Sequence, residues 1–336
     1  MKLLIWGAGA IGGTIGAHLA QAGHELAFVD QAADHVTAIN HRGLTITGPL
    51  AGFTVQAPAF TPTEISGQWA RILLCVKAQD TASAARALAP HLSPNGYVVS
   101  VQNGLNEYVI AEIVGKERTV GSFVNFGADY LEPGVVLYGG RGAVVVGEID
   151  GEITPRVQEL HRTFLDFEPN AIVTENIWGY LWGKLAYGAQ LFVTALTNDS
   201  IADALNDGAY RQIYIAIAQE VMRVAHVQGI KPEAFNGFNP HAFLPDTELP
   251  ISLKSLDDMV AFNRKSAKTH SGIWRDLAVR KRRTEADAQL GPIVSFGTKS
   301  NVPTPFTATT LRLIHEIEEG LRPLQRENLD ELKALL

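Results

Sequence analysis

Four apolar residues in a row, "LLIW" at 3–6, precede a glycine cluster, after which Ile11, Ile15 and Leu19 recur at every fourth position. An unbroken apolar run suits a strand buried on both faces, and a spacing of four suits a helix. Gly23 is the expected C-cap of that helix. "HELAFVD" follows as a second apolar strand ending on Asp30. Beyond it, "HVTAINHRG" reads as a helix, and "LTITG" and "FTVQAPAF" alternate as strands expected to form a hairpin. "ARILLCVKA" is a buried strand, "DTASAARALAPHL" a helix and "GYVVSVQNG" a strand. The strand-rich stretch "RTVGSFVNFGADYLEPGVVLYGGRGAVVVGEI", with a turn at "EPG", is expected to finish the same sheet. "TPRVQELHRTFLDF" adds a helix and "NAIVTENI" a last strand and loop.

From Trp178 the pattern changes to long helices broken by Gly and Pro, opening with "IWGYLWGKLAYGAQLFVTALTN" at 177–198. A chain of 336 residues exceeds the usual single core, so two domains are expected. The expected fold class is α/β: a Rossmann-type, doubly wound N-terminal domain at 1–176 and a mostly α-helical C-terminal domain at 177–336. The boundary falls near 175–178.

Composition narrows the function. Hydrophobic residues make up 46% and charged residues 19%, the balance of an ordinary globular protein. A net charge of -7 argues against a nucleic-acid partner, which needs a clustered basic surface. The one basic run, "RKRR" at 280–283, is expected on a solvated face of a helix through "IWRDLAVRKRRTEADAQL". Cys75 is the only cysteine, so no intrachain disulfide can form and a reducing compartment is expected. "MKLLIW" is too short for a signal peptide and no apolar run is long enough to span a bilayer, so the expected location is the cytoplasm, without a membrane partner.

The glycine cluster carries the first chemistry. Gly7, Gly9 and Gly12 spell G-x-G-x-x-G between a strand and a helix, with Asp30 closing the next strand, which is the βαβ context a dinucleotide-binding turn requires. Gly7 permits the tight turn, Gly9 lets the backbone approach a pyrophosphate, and Gly12 allows close packing; Ala8, Ala10 and Ile11 complete the cofactor-binding segment. The Asp30 carboxylate can accept hydrogen bonds from adenine-ribose hydroxyls and would repel a 2'-phosphate, which favours NAD over NADP; a strand-end acid facing water is the alternative. Lys77 and Asn103 end two later strands at the edge where parallel sheets place ligands, although either could be a plain turn former.

In the helical half, Lys184 stands alone among Leu181, Trp182, Leu185, Tyr187 and Leu191. An ammonium in such surroundings needs a partner, a function, or a path for its head to water. His18, His24, His41, His226 and His241 lack ligand-like spacing with Cys or carboxylates, so no metal is expected. His270 beside Ser271 could touch substrate or lie on the surface. No nucleophile signature such as G-x-S-x-G supports a hydrolase.

Taken in order, "GAGAIG", "VKA", "QNG", "LWGKLA", "RRTEAD" and "NVPTPFTATT" give the whole chain a pattern that resembles the ketopantoate reductase (2-dehydropantoate 2-reductase) family. The resemblance implies reduction of a 2-oxo acid with NADPH, the nicotinamide lying in a cleft between the two domains. It implies Lys184 as proton donor and Asn103 as a cofactor- and substrate-side residue. By the same resemblance Glu285 would anchor the ammonium or the cofactor's ribose side, and Lys77 would be a cofactor-side group. Lys184, Gly188 and Ser271 fall on the substrate side.

The chain departs from the family's pattern in three places. Gly188 and Phe192 stand where asparagines commonly follow the lysine, Ser271 matches a family serine only approximately, and Asp30 replaces the arginine that greets a 2'-phosphate. A bulkier, less polar 2-oxo acid is therefore expected, given Phe192 and Tyr187. An opine or β-hydroxyacid-type dehydrogenase and a non-catalytic dinucleotide-sensing module are the alternatives. Apolar faces of the helical half are candidate contacts for a homodimer.

Overall fold

The structure is a computed structural model that describes residues 2–235, 237–265 and 269–336. It divides into two compact units, Met1–Ile177 and Trp178–Leu336.

Unit 1 alternates strands and helices: β1 (Leu3–Trp6), α1 (Ala10–Gln21), β2 (Leu26–Val29), α2 (Ala33–Arg42), β3 (Leu44–Thr47), β4 (Phe53–Val55), β5 (Ala59–Phe60) and β6 (Trp69–Leu74). There follow α3 (Thr81–Leu88), β7 (Leu92–Ser100), α4 (Asn106–Val114), β8 (Thr119–Val124), β9 (Gly127–Glu132), β10 (Val135–Gly140), β11 (Val144–Glu148), α5 (Pro155–Leu165) and β12 (Ile172–Val173). Eight strands make the main sheet in the order β12-β11-β8-β7-β6-β1-β2-β5, and every neighbouring pair in it is parallel except β8 with β11. The apolar runs build it because a strand shows alternate residues to opposite faces. Leu3, Ile5, Phe28, Leu73 and Val99 pack with α1 and α5 on one side; Leu4, Trp6, Val29, Ile72, Leu74 and Val98 pack with α3 and α4 on the other. Each such Leu, Ile or Phe contributes roughly 1.5–3 kcal/mol relative to leaving it exposed.

The expectation of a single sheet is corrected here. β8 and β11 join the main sheet, but β9 and β10 leave it and form a second sheet with β3 and β4, in the order β4-β3-β10-β9. Burial supplies the reason: β8 and β11 are buried throughout, whereas β10 alternates and β9 is largely open, as suits a sheet covered on one face. "FTVQAPAF" splits as well, β4 pairing antiparallel with β3 and β5 pairing parallel with β2. The second sheet lies over α1, where His18 meets the rings of Phe53, Tyr138 and Phe167 edge-on at 5.0, 5.2 and 5.1 Å. Burial holds the His18 pKa below its ordinary value.

Unit 2 is helical in its described residues: α6 (Ile177–Thr194), α7 (Ile201–Asn206), α8 (Arg211–Val227), α9 (Leu249–Arg264), α10 (Gly272–Trp274), α11 (Ala286–Gln289), α12 (Gly291–Lys299), α13 (Pro305–Glu318) and α14 (Glu327–Lys333). No helix among the described residues is long and apolar enough to cross a membrane. Glu220 of α8 is fully buried and caps α13, its carboxylate accepting the Phe306 and Thr307 amides and the Thr307 hydroxyl, each at 2.8 Å. The helix expected through 273–290 is also corrected. After α10 the chain makes one π-helical turn, Arg275–Val279, and "RKRR" then runs as a loop in which Lys281 takes a left-handed φ of 48°. Arg280 and Arg282 fold back onto the buried Asp276 carboxylate at 3.1 and 2.9 Å, which replaces helical continuation with side-chain bridges.

Candidate active site

The main sheet aligns the candidate residues of unit 1. The Asp30, Gly7–Gly12, Lys77 and Asn103 segments follow the carboxyl ends of β2, β1, β6 and β7, which are consecutive neighbours in the sheet. Backbone bonds carry the register past the strand ends: Gly7 N–H to Val29 O at 2.7 Å, Cys75 N–H to Trp6 O at 2.7 Å, and Val101 N–H to Leu74 O at 2.9 Å. Chain order reverses between β1 and β6, the place where open α/β sheets form a ligand crevice. Three strand spacings make this row about 14 Å long.

Each glycine of the turn does something different. Gly7 has φ 100°, and a Cβ there would stand 2.8 Å from the Val76 nitrogen. A Cβ at Gly12 would overlap the Gly7 carbonyl oxygen and lie 2.8 Å from Cys75 Cβ. Gly9 faces open space. It also begins α1, whose first turn has no side-chain cap and no acidic residue, so the positive end of the helix is not neutralised by its own sequence. Open space over Gly9 and an uncapped helix start fit the pyrophosphate of a dinucleotide. Ala8, Ala10 and Ile11 form the backbone between these points. Burial pushes the Cys75 thiol pKa up, which makes that side chain packing material and not a nucleophile.

Asp30 is tied into the turn. Its Oδ2 accepts the Ala8 amide at 2.8 Å and its Oδ1 the Ala32 amide at 2.9 Å. His35, which the sequence did not single out, braces the same segment. Its Nδ1 accepts the Gly134 amide at 2.9 Å, so Nε2 carries the ring proton and donates to Ala8 O at 2.9 Å. Tyr130 sits edge-on to His35 at 5.1 Å, and its phenol pKa is raised by burial and then by the carboxylates of Asp30, Asp34 and Glu132. Asp30, Asp34 and Glu132 thus bring three carboxylates to bear on the Tyr130 phenol beside the turn.

Lys77 and Asn103 flank a buried polar cluster, described below, of Thr81, Gln102 and Asn106. Its sequence signal was faint: Gln102 is a polar residue directly after the apolar run "YVVSV".

Unit 2 gathers a second group. Lys184 and Gly188 lie one turn apart on α6, and both are half-buried. A Cβ at Gly188 would stand 3.5 Å from Gln289 Oε1. Gln289 lies one turn beyond Glu285, whose carbonyl accepts the Gln289 amide at 3.0 Å. The lysine's helix and the glutamate's segment therefore face each other at the Gly188–Gln289 contact, and Gln289 is a polar group the sequence did not mark. Ser271 is buried, and its Oγ accepts the Trp274 amide at 3.1 Å as the cap of α10. His270 lies against the Trp274 ring with centroids 4.0 Å apart. Phe192 is fully buried and Tyr187 accepts from Asn263 Nδ2 at 3.3 Å while packing on Phe238, so these two belong to packing, which corrects their expected part in shaping a substrate space.

Comparison with known proteins identifies the family. The sequence model "Ketopantoate reductase PanE/ApbA" matches residues 3–151, and its C-terminal counterpart matches 176–318. A 2-dehydropantoate 2-reductase of Pyrococcus horikoshii is 29% identical over 307 residues, covering 91% of this chain and 93% of that protein. The crystal structure of a PanE/ApbA family ketopantoate reductase from Ralstonia eutropha superposes with a TM-score of 0.79 at 28% identity, covering 95% of this chain and 99% of the other. A D-mandelate dehydrogenase solved with NADH and anilino(oxo)acetate shares the fold, with a TM-score of 0.83 at 22% identity over 96% of this chain and 99% of the other. With both family models matched in order across the two units, the chain belongs to the ketopantoate reductase family of nicotinamide-dependent oxidoreductases.

Proposed function

We propose that this protein reduces a 2-oxo acid to the corresponding 2-hydroxy acid with NADH as the preferred donor. The observation that carries this reading is the row of loops ending β2, β1, β6 and β7, with an acid at one end and an amide at the other. On this reading Asp30 takes the adenine-ribose hydroxyls, the amides after Gly9 take the pyrophosphate, and Lys77 and Asn103 serve the nicotinamide end. The dinucleotide, when bound, supplies a hydride to the carbonyl carbon. Negative charge then grows on the carbonyl oxygen, where the Lys184 ammonium stabilises it and delivers a proton to form the hydroxyl. Glu285 holds that ammonium in place, and Asn103 orients the reacting carbonyl. Gly188, which adds no side chain beside Lys184, and Ser271 lie on the substrate side.

The substrate named by the relatives, 2-dehydropantoate, is the first to try. A second reading, a 2-oxo acid with a less polar tail, is favoured by Gly188, which offers no polar side chain one turn beyond Lys184. The test is NADH and NADPH oxidation with 2-dehydropantoate and a panel of branched and aromatic 2-oxo acids. NADH oxidation with at least one of them is expected. NADH binding without turnover of any acid would leave a dinucleotide-sensing module instead.

A further inference from the structure

Three buried polar side chains, Thr81, Gln102 and Asn106, join the loops that carry Lys77 and Asn103. Gln102 Nε2 donates to Val76 O at 3.0 Å and to Thr81 Oγ1 at 2.7 Å. The Thr81 hydroxyl lies 2.8 Å from Ala78 O and 3.0 Å from Asn106 Oδ1. Asn106 Nδ2 donates to Asn103 O at 2.7 Å. The carbonyls on either side of Lys77 are therefore held by the same cluster that holds the carbonyl of Asn103.

Burying such groups is costly unless they are hydrogen-bonded, and an apolar trio would fill the space between β6, β7 and α4 without that burden. What polar groups add is a defined relative position for the two loops beyond the ends of the paired strands β6 and β7. We propose that Thr81, Gln102 and Asn106 are positioning residues that lock the 75–78 loop to the 101–105 loop, so that Lys77 and Asn103 meet the nicotinamide end of the cofactor as one unit. The inference rests on the reading of those two residues as cofactor-side groups. It adds that their placement is coupled, through a threonine hydroxyl buried among protein groups.

Thr81→Val keeps the shape and removes the hydroxyl, and Thr81→Ser restores it. Because a small misplacement near the reacting centre is enough to slow the reaction, Thr81→Val is expected to lower kcat by about tenfold with little change in KM for NADH, and Thr81→Ser to recover most of the loss. In an Asn103→Ala background, Thr81→Val should lower kcat no more than about twofold further, because one partner of the coupled pair is gone, while the two effects on Tm should add. A Thr81→Val enzyme with unchanged kcat, or kcat losses that multiply independently, overturns the inference. Full turnover by Asn103→Ala alone would instead remove the reading of Asn103 on which the inference stands, a separate outcome. If Thr81→Val does not fold, Gln102→Met, which keeps length and deletes the amide, enters the same cycle with the same criteria.

Discussion

The Ala8 amide donates to the Asp30 carboxylate at 2.8 Å, so the side chain proposed to take the adenine ribose is also a strut of the glycine turn. Asp30→Asn should therefore do two things. It should narrow the NADH over NADPH preference by roughly tenfold, since the charge opposing a 2'-phosphate is gone. It should also cost about 1–2 kcal/mol of stability as charge-assisted bonds to Ala8 and Ala32 become neutral ones. KM values for both cofactors and chemical denaturation on one preparation check this. A preference for NADPH in the unaltered enzyme would contradict the role given to Asp30.

Gly9 and Gly12 should separate binding from folding. A methyl at Gly9 enters open space, so Gly9→Ala should leave stability within about 0.5 kcal/mol and lower dinucleotide affinity at least tenfold. A methyl at Gly12 meets the Gly7 carbonyl and Cys75, so Gly12→Ala should cost at least about 1–3 kcal/mol. Thermal shift with and without NADH reads both effects.

Lys184→Ala should lower turnover by a factor on the order of 100 to 10,000, the range for losing one acid-base group, with NADH affinity nearly unchanged. Stopped-flow turnover and NADH fluorescence titration decide it. Near-normal turnover would return Lys184 to a packing role.

His18 should make the fold sensitive to mild acid. Its pKa is lowered in the folded state, so the unfolded chain binds the proton more readily. The contribution is fully present above the ordinary histidine range and is lost as pH falls through that range toward the depressed folded value. Tm measured across this window should drop less in His18→Phe, which keeps an aromatic ring against Phe53, Tyr138 and Phe167 and cannot titrate. Parallel slopes in the two proteins would discard the assignment.

Local signals foretold the glycine turn, β1, β2, β6, β7 and the long helix of Lys184, because each is written in a contiguous apolar pattern. The second sheet was not legible, since pairing between β3 and β10 joins segments about ninety residues apart and local alternation does not say which partner a strand takes. The "RKRR" stretch is exposed as its charge pattern implies, but it is not helical: Arg280 and Arg282 bond locally to the buried Asp276, and a basic run does not say whether its backbone stays helical. Among site residues, those on strand ends could be found from position in the βαβ pattern. His35, Gln289 and the Thr81 cluster could not, because their partners are backbone atoms or distant side chains with no sequence mark.

The late arrival of β9 and β10 bears on synthesis. During translation the glycine turn, α1 and Asp30 emerge first, yet the face of α1 that carries Gly13 and His18 has only Phe53 of β4 to cover it until residues 127–140 bring Val136 and Tyr138. The Gly134 amide that fixes the His35 ring is supplied by that same hairpin. A nascent chain halted near residue 120 would thus carry the full G-x-G-x-x-G signature while the part of the α1 face around Gly13 stayed open to chaperones, because closing non-local contacts is the slow part of folding such a topology.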